Sequence, residues 1–312
     1  MRAAAPLLLL LAAAPAAAQT AWVTNQSDGT VSVLDTARQA VVATLPAGSR
    51  PAGVAAAADG RHAFVTSPDD RRVYRIGASD GAVLDRAVGD SPLGIDVDPG
   101  SGRVYVADWY GRRLFVLDPD SLDTLAVVPV GATPAGVTVA PRRGLVLVAQ
   151  RDEDSVALVD AAANRVAASV AVGAHPFGIG VDPAEALAYV ANVMSDDVSV
   201  IDLDARREVA RVPVGRTPYA VAVTADGRRA FVTNQHDGTV SVIDTARRAV
   251  TATIPVGEYP EGVAVHPDGR RVFVANWFSN EVCVIDADSL QVTARIPTGD
   301  GSRAFGRFIA PR

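Results

Sequence analysis

The sequence predicts an all-β fold, a seven-bladed β-propeller with four strands per blade, and three observations point to it. A block of about 42 residues recurs through nearly the whole chain; Val23–Arg38 matches Val232–Arg247 at 14 of 16 positions, differing only at Ser27/His236 and Leu34/Ile243. The position of Asn25 returns as Ser67, Asp108, Gln150, Asn192, Asn234 and Asn276, at spacings of 42, 41, 42, 42, 42 and 42, which makes seven copies. Each copy has room for four short strands rich in Val, Ile and Thr, separated by Gly, Pro, Asn and Asp, and none carries a sustained 3.6-residue apolar period. Units of this length cannot bury their apolar faces alone, so they must stack, and four strands per unit read as propeller blades.

The elements follow in order within a blade. The first strand is the Pro-x-Gly-Val-x-Val type, as in Pro260–Val265, and it ends in a turn such as Pro267-Asp268-Gly269 or Asp226-Gly227. Arg271–Asn276 is a second strand, Glu281–Asp286 a third and Gln291–Ile296 a fourth, closed by Pro297-Thr298-Gly299. The chain enters at the second strand of the first blade, Ala21 to Asn25, and leaves with an extra first-strand-like segment, Arg303 to Ile309. Pairing the N- and C-terminal strands in the first blade closes the ring and hides both sheet edges, so 19–312 is expected to be one domain.

Residues 1–18 stand outside the repeat. Arg2 precedes sixteen uncharged residues, Ala3 to Ala18, with five consecutive leucines and then Ala16-Ala17-Ala18. This reads as a secretory signal peptide, too short for a membrane span, and the mature chain is expected to begin near Gln19 in the periplasm or medium. One cysteine, Cys283, excludes an intrachain disulfide, and no Cys-x-x-Cys-His is present for c-type haem. All 29 basic residues are arginine, which excludes lysine Schiff-base chemistry, and a formal charge of −6 counts against a broad nucleic-acid surface.

The repeat resembles the YVTN family of bacterial and archaeal β-propellers. The residues that carry the likeness are Phe231–Asn234, Asp237–Thr245, Ala252–Gly257 and Pro260-x-Gly262-Val263-Ala264-Val265, and it extends over residues 20–309. The closing Ala304–Ile309 also looks like that family's ending. The resemblance implies the fold but not one activity: similar propellers include surface-layer components, a periplasmic single-stranded-DNA binder and, more distantly, lactonases and the d1-haem domain of nitrite reductases. Function has to be argued from the site.

Comparison among the repeats separates scaffold from candidate site. Asp35, Asp118, Asp160, Asp202, Asp244 and Asp286 all close a third strand and read as turn formers; the glycines from Gly48 to Gly299 recur in the same way. Departures from the repeat gather in the loops after the second strand and before the first, which share the face around the mouth of the central channel. The candidate binding rim is Trp109, Tyr110, Arg112, His175, Phe177, Arg216, Tyr219, His236, Tyr259, Glu261, Trp277, Phe278 and Arg303. Loop-borne aromatics and arginines on a rigid scaffold suit recognition, although aromatics can also cap a channel. His175 and His236 lack an evident carboxylate partner, so no metal site, catalytic residue or cofactor is assigned. Asp96 stands where other copies carry Ala55, Thr138, Ala222 and Ala264, at a buried strand position that demands a hydrogen-bond partner or a raised pKa.

The expected function is a non-catalytic, monomeric, extracytoplasmic binding or scaffold propeller that recognises a protein, glycan or small molecule on this rim. A metal-dependent lactonase-type hydrolase built on Glu261 is the first alternative. The second is single-stranded nucleic-acid binding, with Trp109, Tyr110, Trp277 and Phe278 stacking bases and Arg50, Arg112, Arg151, Arg216 and Arg303 on phosphates.

Overall fold

The computed structural model describes residues 19–310. The secretory segment expected at 1–18, and residues 311 and 312, lie outside the described residues. Seven sheets of four antiparallel strands form the ring predicted from the repeat. The inner strands are Val54–Ala56, Pro92–Val97, Pro134–Ala140, Pro176–Val181, Pro218–Val223, Pro260–Val265 and, for the first blade, Ser302–Arg303. Two one-turn 3₁₀ segments, Pro141–Arg143 and Arg151–Glu153, are the only helical elements among the described residues. None of them is long and apolar enough to cross a membrane.

Burial follows position in the blade. Second strands such as Arg271–Asn276 are buried on both faces beyond their first residue, because each blade is sandwiched between two others. Outer strands such as Ala249–Pro255 alternate between exposed and partly buried positions, as a half-solvated sheet requires. Inner strands approach one another so closely that a Cβ on Gly94 would lie 1.9 Å from the Ala135 carbonyl oxygen, and one on Gly136 would lie 2.2 Å from that of Phe177. Threonine hydroxyls then cap carbonyls of the next blade: Thr24 donates to Ala52 O at 2.8 Å, Thr66 to Leu93 O at 2.7 Å and Thr138 to Ile179 O at 2.7 Å.

The recurrent Asn position explains the spacing. Asn25 donates to the hydroxyls of Thr30 and Ser32 on the next strand at 2.9 Å each, and its Oδ1 accepts the Gly299 amide at 3.1 Å. Asn234 repeats this with Thr239, Ser241 and Gly215. One side chain thus ties the second strand to the third and to the incoming loop. The third-strand aspartates are turn formers as expected; Asp160 accepts the amides of Ala162 and Ala163, and Asp202 those of Asp204 and Ala205.

Closure is made at the predicted place with less regular pairing than a full strand. Ser302 and Arg303 pair with Asn25 and Thr24. The strand ends at Arg303, and beyond it Gly306 turns at φ +116°, where a Cβ would lie 2.5 Å from Val54 O. The segment then alternates between neighbours: Val54 and Ala56 donate to Phe305 O and Arg307 O, while Trp22 donates to Phe308 O at 2.9 Å. It bridges the first two blades rather than only completing the first.

Candidate functional site

The residue that follows the first-strand proline, and Arg303 at the equivalent place in the closing segment, occupies one level of the channel. Round the ring these are Ala52, Leu93, Ala135, Phe177, Tyr219, Glu261 and Arg303, small on one side and large on the other. The large ones fill the space that the small ones leave. Phe177 and Tyr219 stack with ring centroids 4.1 Å apart, and Phe305 stands edge-on to both at 5.6 and 6.2 Å. Trp109 covers Phe177 at 6.1 Å and lies under the Arg151 guanidinium. The result is an aromatic plug at the loop end of the channel.

A buried ion pair completes the plug. Arg303 donates from Nε to one Glu261 oxygen and from Nη2 to the other at 3.2 Å, and also to the Tyr219 hydroxyl at 3.1 Å. Gln235 Nε2 donates to Glu261 Oε1 at 2.7 Å. The guanidinium lies between the faces of Trp277, at 4.8 Å, and Phe305, at 5.3 Å. Burial alone would push Arg303 toward neutrality, but the Glu261 charge and the Tyr219 bond outweigh it and hold the group firmly protonated. Burial, followed by the Glu261 charge, raises the Tyr219 hydroxyl far above the ordinary phenol range.

The structure therefore divides the candidate set. Phe177, Tyr219, Glu261 and Arg303 meet inside the channel mouth, with Trp109 over them, and do not present themselves on the open rim. Tyr259, Trp277 and Phe278 form a second cluster outside it: Trp277 and Phe278 stack at 4.7 Å, Tyr259 lies 4.6 Å from Phe278, and His236 is edge-on to Tyr259 at 5.5 Å. Phe278 is 53% exposed and Tyr110 75%. Arg112 and Arg216 are exposed but spent on ion pairs, with Glu153 at 2.8 Å and Asp237 at 2.6 Å. His175 leaves a buried Nδ1 without a partner among the described residues.

Backbone geometry sets these loops. Thr133, His175, Thr217 and Tyr259, each just before the first-strand proline, adopt φ between 50° and 56°. That left-handed turn lets each carbonyl accept the amide just past the second strand, as Trp277 N does to Tyr259 O at 2.9 Å. Met194, 66% exposed on the same loop level, and Phe305, within the plug, extend the set beyond the residues singled out from sequence.

At its opposite end the channel holds a cavity of about 420 Å³, whose inner wall includes Phe177 and Phe305 and whose mouth is formed by first-strand turns such as Pro141, Pro183 and Pro267. Asp96 sits in its wall, buried, and accepts the amides of Val97 at 2.9 Å and Val139 at 2.8 Å. Burial raises its carboxyl above the usual range, opposed by Arg307, whose Nη2 lies 3.4 Å away. The partner that the sequence demanded is thus the next blade's amide together with an arginine from the closing segment.

Comparison with known proteins bears on the class. The cytochrome D1 heme domain family matches residues 183–304. Hydrazine synthase of Kuenenia stuttgartiensis is similar with a TM-score of 0.78 and 21% identity, over 86% of this chain and 92% of that one. A functionally unknown protein from Desulfotomaculum acetoxidans DSM 771 is similar with a TM-score of 0.80 and 16% identity, over 94% and 99% of the two chains. Dihydro-heme d1 dehydrogenase NirN, in complex with DHE, gives a TM-score of 0.67 and 21% identity, over 88% of this chain and 63% of that one. No curated protein matches the chain. At these identities the structures share the fold.

The described residues do not fit a haem within the channel. Its loop end is occupied by the Phe177, Tyr219 and Phe305 rings and the Arg303–Glu261 pair. The opposite cavity is lined by no His, Cys, Met or Tyr, the side chains that ligate haem iron.

Proposed function

We propose that this chain is an extracytoplasmic binding propeller that recognises a protein, glycan or small molecule through the loop rim, with Tyr259, Trp277 and Phe278 as its anchor. The carrying observation is this aromatic cluster, with Phe278 exposed over half-buried Tyr259 and Trp277, rooted on the buried Arg303 by the Trp277 contact. An apolar surface that is both exposed and rigidly supported is the arrangement that hot spots use. The extracytoplasmic location rests on residues 1–18, and the YVTN assignment on the motif residues from Phe231 to Val265.

Two features weigh against the alternatives. Glu261, on which metal-dependent hydrolysis would depend, has both oxygens committed to Arg303 and one also to Gln235. Arg50, Arg112, Arg151, Arg216 and Arg303, the phosphate partners of the nucleic-acid reading, are each paired with a carboxylate, Arg50 only with exposed Asp69 at 3.8 Å.

The test is capture from periplasmic extract by the wild type, by Phe278→Ser with Tyr110→Ala, and by Arg228→Ala on the far face. Loss of about tenfold in capture by the rim variant alone, with an unchanged melting temperature, supports the reading; equal capture by all three overturns it.

A further inference from the structure

We infer that the cavity at the channel end opposite the rim binds a small, largely apolar molecule carrying a carboxylate, which Arg307 recognises. The inference is independent of the rim reading, because the site lies on the other side of the aromatic plug.

The repeat itself provides the baseline. At the position of Arg307 the other blades carry Ala56, Val97, Val139, Val181, Val223 and Val265, all aliphatic. At the position of Asp96 they carry Ala55, Thr138, Gly180, Ala222, Ala264 and Gly306, none of them ionisable. Five blades therefore close without charge at either level. The two departures come from different blades, 211 residues apart, yet meet in one cavity wall with Arg307 Nη2 3.4 Å from Asp96 Oδ2. A charge pair kept only for stability is a poor exchange for aliphatic packing, since desolvation offsets most of its attraction.

The hydrogen bonds show which member is free to act. Asp96 is 3% exposed in its side chain and is committed to two backbone amides, which makes it a fixed positioning residue. The Arg307 side chain is 33% exposed, lines the cavity and, among the described residues, makes that single long contact with Asp96. Among the described residues its remaining N–H donors have no further partner, and its planar fork matches a carboxylate. The inner wall beside it is apolar, with Ile95, Ile179, Val221 and Val263, while the other charged lining residues, Arg142, Asp182 and Glu185, sit in the turns that follow the first strands, where Arg142 pairs with Glu185 at 3.4 Å and Asp182 accepts the amides of Ala186 and Leu187. About 420 Å³ lies within the range of small-molecule sites, and an apolar inner wall beside an oriented cation is how such sites obtain both affinity and orientation.

The test is calorimetric titration of the intact mature protein with acetate, butyrate and benzoate, and with benzyl alcohol as the uncharged counterpart of benzoate. Saturable binding of at least one carboxylate is expected, with benzyl alcohol at least tenfold weaker than benzoate if benzoate is the one bound. Arg307→Val, the residue most other blades use, should weaken binding by at least tenfold while Arg307→Lys retains part of it. Ala222→Leu, which fills the cavity and leaves Arg307 in place, should abolish it. Phe278→Ser on the rim should leave it unchanged, so failure of the rim reading and of this one are told apart. Absence of saturable binding by all three carboxylates, or equal binding by wild type and folded Arg307→Val, overturns the inference.

Discussion

Arg303 and Glu261 occupy the same repeat position in adjacent blades, and the guanidinium of one engages both carboxylate oxygens of the other. Arg303 belongs to the segment that closes the ring and Glu261 to the last complete blade. The pair therefore spans the seam where the chain's two ends meet. Their side chains are 12% and 1% exposed, so neither charge has water as a substitute partner.

Removing one member should be costly and removing both less so. Glu261→Gln leaves a buried guanidinium without its counter-charge and should lower unfolding free energy by about 3 kcal/mol or more. The double change Glu261→Leu with Arg303→Met should recover a large part of that loss, because apolar residues of similar volume can replace a buried pair. Urea denaturation of the three proteins decides it. A Glu261→Gln protein as stable as wild type would show that the pair does not hold the seam.

A second exchange is written in the third blade. Where Asn25 meets Thr30, Asp108 meets Arg113 at 2.7 Å, while still accepting the incoming amides of Asp90 and Ser91. Arg113→Thr alone strands the Asp108 carboxylate and should cost about 1–3 kcal/mol, discounted because Arg113 is partly exposed. Asp108→Asn together with Arg113→Thr rebuilds the Asn25–Thr30 pattern and should return to within about 1 kcal/mol of wild type. A double-mutant cycle with no coupling between the two sites would refute the exchange.

The ring was legible because the repeat states it seven times, and the turn aspartates were legible for the same reason. The division of the rim was not. Phe177, Tyr219, Glu261 and Arg303 read as loop aromatics and charges, and the structure turns them inward as one layer of the channel. Their shared spacing of 42 was present in the sequence, and so was the complementary run of Ala52, Leu93 and Ala135. What no linear pattern shows is that large residues on one side of a ring fill the space left by small ones on the other. Asp96 was visible as a departure from its repeat, but its partner Arg307 lies in the irregular closing segment, beyond the end of its strand at Arg303.

The closing segment should contribute through its core side chain as well as its backbone. Phe308 is fully buried in the cluster that contains Trp22, Val54 and Phe273. Phe308→Ala should cost about 3–5 kcal/mol, the usual loss for a buried aromatic. Val42→Ala, on the exposed face of an outer strand, should stay within about 0.5 kcal/mol. Similar urea midpoints for the two variants would mean that the ring closes without this anchor.

Acid should weaken the turn before the second strand of the last blade, which packs close to the N-terminal strand. Burial alone would raise the Asp268 carboxyl, but the Arg270 amide, the Arg271 guanidinium and the His266 ring together hold it at about 2 against an ordinary 3.8. Arg271 Nε lies 2.8 Å from it and His266 Nδ1 2.9 Å. A carboxyl depressed in the folded state contributes stability that is complete above the unfolded value of 3.8 and is lost as pH falls through about 2. At roughly 1.4 kcal/mol per pKa unit the contribution is about 2 kcal/mol at neutral pH. The unfolding free energy of wild type minus that of Asp268→Asn should therefore shrink between pH 4 and 2 and keep only the neutral hydrogen-bonding difference below that. A difference that stays flat from pH 5 to 2 would show that the carboxylate charge adds nothing to this turn.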